Sequence, residues 1–218
     1  MSPQGASLNV FPSLSVVVFA MIERLLHRIT RRLPCRIIDG EHGEPYLERY
    51  YLAGLDRLGL RGWHAYLHRF VDSDPDRGLH DHPWDRAVSL VLSGGYDELR
   101  LCGVPAAVAD SAGDMLAAEP RVSRRHVRPF RLNRLRGTDY HRVVLRGGRP
   151  AWTLFLHGPR VKGWGFRRDG VERVMAANAA DCRHRDWWLS APTGREVRLV
   201  QRAADPTGPR RSPRAERT

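Results

Sequence analysis

The sequence predicts an all-β protein, built as a sandwich or barrel of short strands. Residues 87–92 form an apolar run that ends at the turn of Gly94 and Gly95, as expected of a buried strand. Residues 63–71 alternate so that every second side chain lies on one face, which is typical of a strand. With 218 residues and 42% hydrophobic content, the chain can form one domain around one sizeable core.

The barrel is expected to span residues 36–176. Residues 103–114 are rich in Ala, Pro and Gly, and they predict a connection between strands. The other strands follow from short alternating or apolar segments bounded by turn residues. They are predicted at residues 36–39, 46–52, 80–84, 97–102, 141–145 and 152–156.

Two extensions flank this barrel. Residues 1–35 predict an N-terminal extension whose helix begins at Met21, where translation is expected to start, and ends before Pro34. The first twenty residues are expected to be disordered or wrongly assigned to the protein. Residues 177–218 form a C-terminal extension with one docked element at Trp187 and Trp188, disordered from about residue 203. The helix is amphipathic because its apolar residues recur at helical spacing, namely Ile22, Leu25, Leu26, Ile29 and Leu33.

Two histidines are expected to share one cavity. Side chains of an extended chain alternate between faces, so His80, His82 and Trp84 lie on one side. Imidazole is a common ligand of transition metals, and a chelating site needs two or three such donors on rigid strands. His141 is the best third ligand, because it begins another alternating strand. The alternative is a hydrogen-bonded pair of core histidines without metal.

These motifs resemble a known superfamily. His80, His82, Gly94 and the later strand with His141 are similar to the two motifs of the cupin superfamily, the RmlC-like jelly rolls. The resemblance covers residues 37–175 and implies a double-stranded β-helix that holds one divalent transition metal, Fe, Mn, Ni or Zn. More narrowly, five segments resemble a group of bacterial and phage cupin-type proteins, namely residues 66–70, 79–96, 141–143, 152–159 and 164–166.

The sequence departs from the cupin pattern at one ligand position. Ala87 stands where many cupins place a glutamate, and Asp74 replaces a glycine ahead of the first histidine. The site is therefore expected to have three histidines, or two histidines and a carboxylate from Asp85. Asp85 could instead orient an imidazole by accepting its hydrogen bond. Residues expected to line the pocket are Tyr66, His68, Trp84 and Arg142.

The leading functional hypothesis is a metal-binding protein that acts as an oxygenase or isomerase on a small polar molecule. The alternative is a non-catalytic cupin that binds a sugar or small anion, or a metal-free epimerase with a histidine base. Cupins include both enzymes and binders, so the fold does not choose between them. No P-loop, nucleophile elbow or H-E-x-x-H motif occurs in the sequence, which disfavours nucleotide hydrolysis and serine hydrolase chemistry.

The net charge of +12 does not predict a nucleic-acid-binding protein. The basic residues concentrate in residues 21–36, 121–136 and 201–218, without a recognised groove-entering element. An arginine of residues 121–136 at the barrel mouth would suit a carboxylate or phosphate, and the alternative is a solvated edge strand. The expected partner is a small molecule, with no membrane, and the sequence leaves a homodimer open.

The cysteines favour a reducing compartment. Their number is odd and their spacing is wide, without a metal-knuckle pattern, which predicts reduced thiols in the cytoplasm. The three are Cys35, Cys102 and Cys182.

Overall fold

The computed structural model describes residues 13–40, 42–76, 78–103, 108–109, 115–116, 121–168, 171–175 and 186–204. In chain order, the elements are α1 (Leu14–Thr30), β1 (Cys35–Asp39), β2 (Pro45–Gly54), β3 (His64–Phe70), β4 (Leu79–His80), β5 (Arg86–Ser93), β6 (Tyr96–Gly103), β7 (Val108–Ala109), β8 (Met115–Leu116), β9 (Arg121–Val127), β10 (Leu132–Arg136), β11 (His141–Leu145), β12 (Ala151–His157), β13 (Trp164–Arg168), β14 (Val171–Met175) and α2 (Gly194–Ala204).

Two six-stranded sheets carry the fold, and their strands pair in a nested order. The first sheet has the order β1-β2-β3-β12-β5-β10, and the second has the order β14-β13-β4-β11-β6-β9. Thus β3 pairs with β12, β4 with β11, β5 with β10 and β6 with β9, all antiparallel. This is a long hairpin folded over on itself, the jelly-roll arrangement that the sequence predicted.

Apolar side chains close one end of the barrel. Phe70 ends β3 and faces Ala151 at the start of β12, so both lie at the same end. Around them a buried cluster joins the two sheets. At the other end of the same strands, His64 pairs with His157, and there the interior stays open as a cavity. The apolar cluster consists of Tyr46, Leu47, Phe70, Val91, Tyr96, Val127, Val143, Leu145 and Ala151.

The turn between β5 and β6 depends on a glycine. Gly94 has φ of 77°, a conformation that a residue with a Cβ rarely adopts. A Cβ there would also collide with the carbonyl oxygen of Pro150. The chain passes from one sheet to the other at this turn, so glycine is required for the close approach of the two backbones.

Both helices pack on the outer face of the first sheet. Leu26 of α1 and Val197 of α2 contact a cluster formed by Tyr50, Leu67 and Trp152. These three residues alternate with the cavity-facing positions of their strands and therefore point outward. Neither described helix combines the length and the hydrophobicity needed to cross a bilayer.

The helix boundaries differ from those predicted. The first helix begins at Leu14, seven residues before Met21, so residues 14–20 are helical where disorder was expected. Within this stretch Phe19 stacks on Phe130, with a centroid distance of 6.0 Å, whereas the other side chains are exposed. Residues 1–12, part of the predicted disordered segment, lie outside the described residues.

The C-terminal extension contains a helix that the sequence analysis missed. Thr193 and Glu196 form a capping box, in which the Thr193 amide donates to Glu196 Oε2 at 2.7 Å and the Glu196 amide donates to Thr193 Oγ1 at 3.4 Å. The helix ends at Ala204, close to residue 203, from about which disorder was predicted. The rest of the predicted disordered tail, residues 205–218, lies outside the described residues.

Trp152→Ala should lower the free energy of unfolding by about 3–5 kcal/mol, because it empties a buried site beneath both helices. Urea unfolding followed by circular dichroism measures this change. Leu58→Ala is the matched control on a side chain that is 75% exposed, and its effect should stay within about 0.5 kcal/mol. Equal losses in the two variants would contradict the packing of the outer cluster.

Candidate metal centre

Three histidines converge inside the barrel. His80 on β4 and His141 on β11 are cross-strand partners, and His82 follows two residues after His80. One ligating atom from each lies within 4.8 Å of the others. The Nε2 atoms of His82 and His141 are 2.8 Å apart. The structure therefore brings together the three predicted ligands, which we call the histidine group.

A buried carboxylate fixes the orientation of His141. Glu98 Oε1 lies 3.0 Å from His141 Nδ1, and its side chain is 1% exposed. Because this oxygen belongs to a carboxylate, the imidazole holds a proton on Nδ1 and donates it to Glu98. The Nε2 lone pair of His141 is thereby left for a metal, as in the carboxylate–histidine–metal arrangement.

Further donors keep Glu98 ionised. Asn133 Nδ2 donates to Oε1 at 2.7 Å, Arg100 donates to the same oxygen at 3.1 Å, and Arg125 donates to Oε2 at 2.9 Å. Burial alone would raise the pKa of Glu98. The hydrogen bond from His141, the Asn133 amide and the charge of Arg100 outweigh it and lower this pKa to about 2. Sequence analysis missed Glu98, although it lies two residues after Tyr96 and therefore on the same inward face of the strand.

Asp74 lies beside His80. Its carboxylate accepts a hydrogen bond from the Val143 amide at 2.8 Å, and Oδ2 lies 4.0 Å from His80 Nδ1. Asp74 thus ties the loop before β4 to β11. Asp74, the residue noted as a departure from the cupin pattern, therefore lies beside His80 and is bonded to the strand that carries His141.

The donor set fits a divalent transition metal. Burial, together with the charges of His141 and His80, lowers the pKa of His82 well below its ordinary value, so this imidazole is neutral and its lone pair is available. The buried Nδ1 of His82 has no hydrogen-bond partner among the described residues. The other nitrogen of His82, Nε2, points toward His141 in the histidine group. This arrangement suits metal coordination rather than hydrogen bonding alone.

Two predicted site residues lie outside this group. Asp85 is 62% exposed and pairs with the neighbouring Arg86, with Nε and Oδ2 3.2 Å apart. It is neither a fourth ligand nor the carboxylate that orients an imidazole, because the chain turns after Pro83 and carries Asp85 to the surface. Arg142 alternates away from His141, and it donates to the Asp74 carbonyl at 3.1 Å and to Asp76. It does not line the cavity.

The other predicted residues do line one cavity with the histidine group. This cavity has a volume of about 1160 Å³, and Tyr66, His68 and Trp84 form part of its wall. Its size is sufficient for a small molecule. Sequence analysis missed Arg49, His157 and Trp187 as lining residues, since each lies on a segment treated only as a strand or a docked element.

Stacked rings build the wall beside the histidine group. Trp84 lies between His82 and His157, with centroid distances of 5.0 and 4.0 Å and nearly parallel planes. His157 Nδ1 donates to the Gly158 carbonyl at 2.8 Å. Burial lowers the pKa of His157 to about 3, with the charge of Arg49 acting in the same direction and this hydrogen bond opposing it.

Comparisons with known proteins add solved structures but no sequence relative. No family model and no curated protein matches the chain. A variant of oxalate decarboxylase from Bacillus subtilis is similar over 59% of this chain and 29% of that chain, at 14% identity and a TM-score of 0.39. A DMSP lyase structure is similar over 66% and 62%, at 17% identity and 0.39. HutD from Pseudomonas fluorescens is similar over 57% and 56%, at 15% identity and 0.38.

The nested antiparallel pairing of strands in this chain decides the fold. The chain has the double-stranded β-helix, or jelly-roll, fold. The fold that the sequence motifs implied is therefore confirmed. The chain spans less than a third of that oxalate decarboxylase chain, 29%.

The stability of the metal-free protein should fall as the pH drops below about 6.5, the ordinary pKa of histidine. In the unfolded chain His157 takes up a proton there, whereas the folded protein keeps it neutral down to a pKa of about 3. Between these two pKa values, each such histidine lowers the free energy of unfolding by up to about 1.4 kcal/mol for each pH unit. In His157→Phe the free energy of unfolding should therefore fall less between about pH 7 and about pH 5, by the contribution of one histidine. Urea unfolding at the two pH values, with a chelator present, measures this difference.

Tyr66→Phe is the matched control for this slope. It alters the same cavity, but burial raises the pKa of the Tyr66 hydroxyl to about 12, so the lost group does not titrate in acid. The slope should therefore equal that of the unmodified protein. A His157→Phe slope indistinguishable from that of Tyr66→Phe would contradict the neutral, buried state of His157.

Proposed function

We propose that the protein is a metal-dependent enzyme in which His80, His82 and His141 bind one divalent transition metal. The substrate is a small polar molecule in the adjoining cavity, and the reaction is an oxygenation or an isomerisation. The observation that carries this proposal is the convergence of three imidazole donors in the barrel interior.

The surroundings of the histidine group support a catalytic metal more than a closed structural one. Ala87, at the position where many cupins have a glutamate ligand, is buried and offers only a methyl group. A site with three protein ligands leaves room for a substrate, as catalytic sites do. When bound, the metal supplies Lewis-acid or redox chemistry at that open position.

The residues of the chain then have distinct tasks. Glu98 holds His141 in one tautomer through its 3.0 Å hydrogen bond. Trp84 and Phe155 cover the histidine group with apolar surface and limit the access of water. The cavity that adjoins the group gives a substrate a place to bind.

A non-catalytic binder or a metal-free epimerase is the second candidate, and one observation favours it. His82 Nε2 and His141 Nε2 are at hydrogen-bonding distance, 2.8 Å, so His82 can donate to His141 without a metal. In that case the histidines would bind a sugar or small anion directly, or one of them would act as a base. Metal content separates these candidates from the leading one.

We also propose the cytoplasm as the location. Cys35 is buried and Cys102 is exposed, and both are free thiols in the structure. An exposed free thiol persists in a reducing compartment. Cys182 lies outside the described residues.

Protein purified without added metal should contain close to one equivalent of a transition metal, measured by plasma mass spectrometry. His82→Ala should remove most of it, because two imidazoles retain a metal far more weakly than three. His126→Ala, in a histidine on β9 away from the histidine group, is the matched control and should leave the content unchanged. Content below about a tenth of an equivalent, with no gain on reconstitution, would rule out the metal proposal.

Glu98→Gln should weaken metal affinity by about tenfold to a hundredfold, since a neutral amide no longer fixes the proton on His141 Nδ1. Competition with a chromophoric chelator measures the affinity. Asp97→Asn is the matched control on the same strand, where the carboxylate accepts from Arg124 at 2.9 Å on the other face. Equal affinities of the Glu98 and Asp97 variants would show that Glu98 does not act on the metal through His141.

A further inference from the structure

Three arginines line the cavity, and among them Arg49 is the one that is not exposed. Arg49 lies on β2, opposite His68 of β3 in the strand register. Its side chain is partly buried and lines the same cavity as the histidine group. Its positive charge is near enough to lower the pKa values of His68 on β3 and His157 on β12, which belong to the same sheet.

The guanidinium of Arg49 is held in one orientation. Nε donates to His68 Nε2 at 3.2 Å, and the group lies over the ring of Tyr66, 5.7 Å from its centroid. Among the described residues, no other side chain or backbone group accepts from Arg49, so its two terminal nitrogens are left without a protein acceptor in a residue that lines the cavity. The planar fork is therefore positioned before any ligand arrives.

The charge of Arg49 also lacks a counterion. No carboxylate in the described part of the chain pairs with it, whereas Arg69 pairs with Glu48 and Lys162 with Asp81. Burial lowers the pKa of Arg49, yet a guanidinium remains protonated at neutral pH. A desolvated charge that cannot neutralise itself is costly, and an anion in the cavity would offset that cost.

We infer that Arg49 is the anchor for the carboxylate of a small organic acid, whose remaining atoms extend toward the histidine group. This inference deepens the proposed function by naming the substrate class. A carboxylate matches the two terminal nitrogens of one guanidinium in a bidentate pair. The neighbouring wall is formed by rings, Tyr66, Phe70 and Phe155, which suit an apolar body.

A phosphate is the less favoured oxyanion. It carries more charge and more acceptor oxygens, and its sites usually combine several donors from backbone amides and basic side chains. The other basic residues that line this cavity lie at its exposed rim or are already paired. Arg36 is exposed, and Lys162 is paired with Asp81.

Isothermal titration with benzoate tests the anchor. Benzoate should bind the chelator-treated protein, whereas benzamide, which has the same shape without the charge, should bind at least about tenfold more weakly. Arg49→Met should lower benzoate affinity by about tenfold to a hundredfold, and Arg49→Lys should recover part of it, because lysine keeps the charge but not the fork. Arg36→Met, at the rim of the same cavity, is the matched control and should bind benzoate as the unmodified protein does.

The results distinguish this inference from the metal proposal. Binding that depends on Arg49 and persists in His82→Ala would support the anchor even if the protein held no metal. Three results would overturn the anchor: no benzoate heat at about 10 mM, equal binding of benzoate and benzamide, or unchanged affinity in folded Arg49→Lys and Arg49→Met. Inorganic phosphate that binds more tightly than benzoate, in an Arg49-dependent way, would overturn the carboxylate assignment.

Discussion

The buried carboxylate of Glu98 is the interaction on which both the barrel and the site depend. It accepts from His141 on β11, Asn133 on β10 and Arg125 on β9, so it joins strands of both sheets. Removing one donor would leave a buried carboxylate oxygen with fewer hydrogen bonds, which is costly in an interior shielded from water. The geometry of the histidine group is therefore coupled to the register of the sheets.

The cavity is electrically asymmetric. Imidazoles lie at the histidine group, with an ionised glutamate behind them, and on the facing sheet lies a guanidinium that no carboxylate of the described residues pairs with. A ligand with a charged head and a polar reacting end would align itself along this axis. Orientation by a fixed charge away from the reacting atoms is a common way to bring a substrate close to a metal.

Local patterns predicted what depends on local geometry. Alternation along an extended chain is enough to place His80 and His82 together, and it places His141 inward on its own strand. The same rule, applied one residue further, shows why Arg142 points away. Asp85 was misplaced because alternation stops where β4 ends, and the chain then turns through Pro83 before β5 begins.

What the sequence could not reveal depends on pairing between distant strands. Glu98 and Arg49 look like ordinary charged strand residues until the strands pair. The register then sets Glu98 opposite Val143, where it reaches His141 diagonally, and sets Arg49 opposite His68. The second helix is a different case. Its capping residues, Thr193 and Glu196, are visible in the sequence as a start signal, and they were overlooked because the segment after them is polar.

The nested strand order also sets how the protein reaches its native state. His82 and His141 are 59 residues apart, and the outermost pairs, such as β3 with β12, join segments still more distant in the chain. Such long-range pairing makes folding slow, because large loops must close before contacts repay their entropy. The histidines do not meet until the hairpin has folded over. A metal would therefore enter a barrel already formed, and metal supply would govern the loading of the protein rather than its folding.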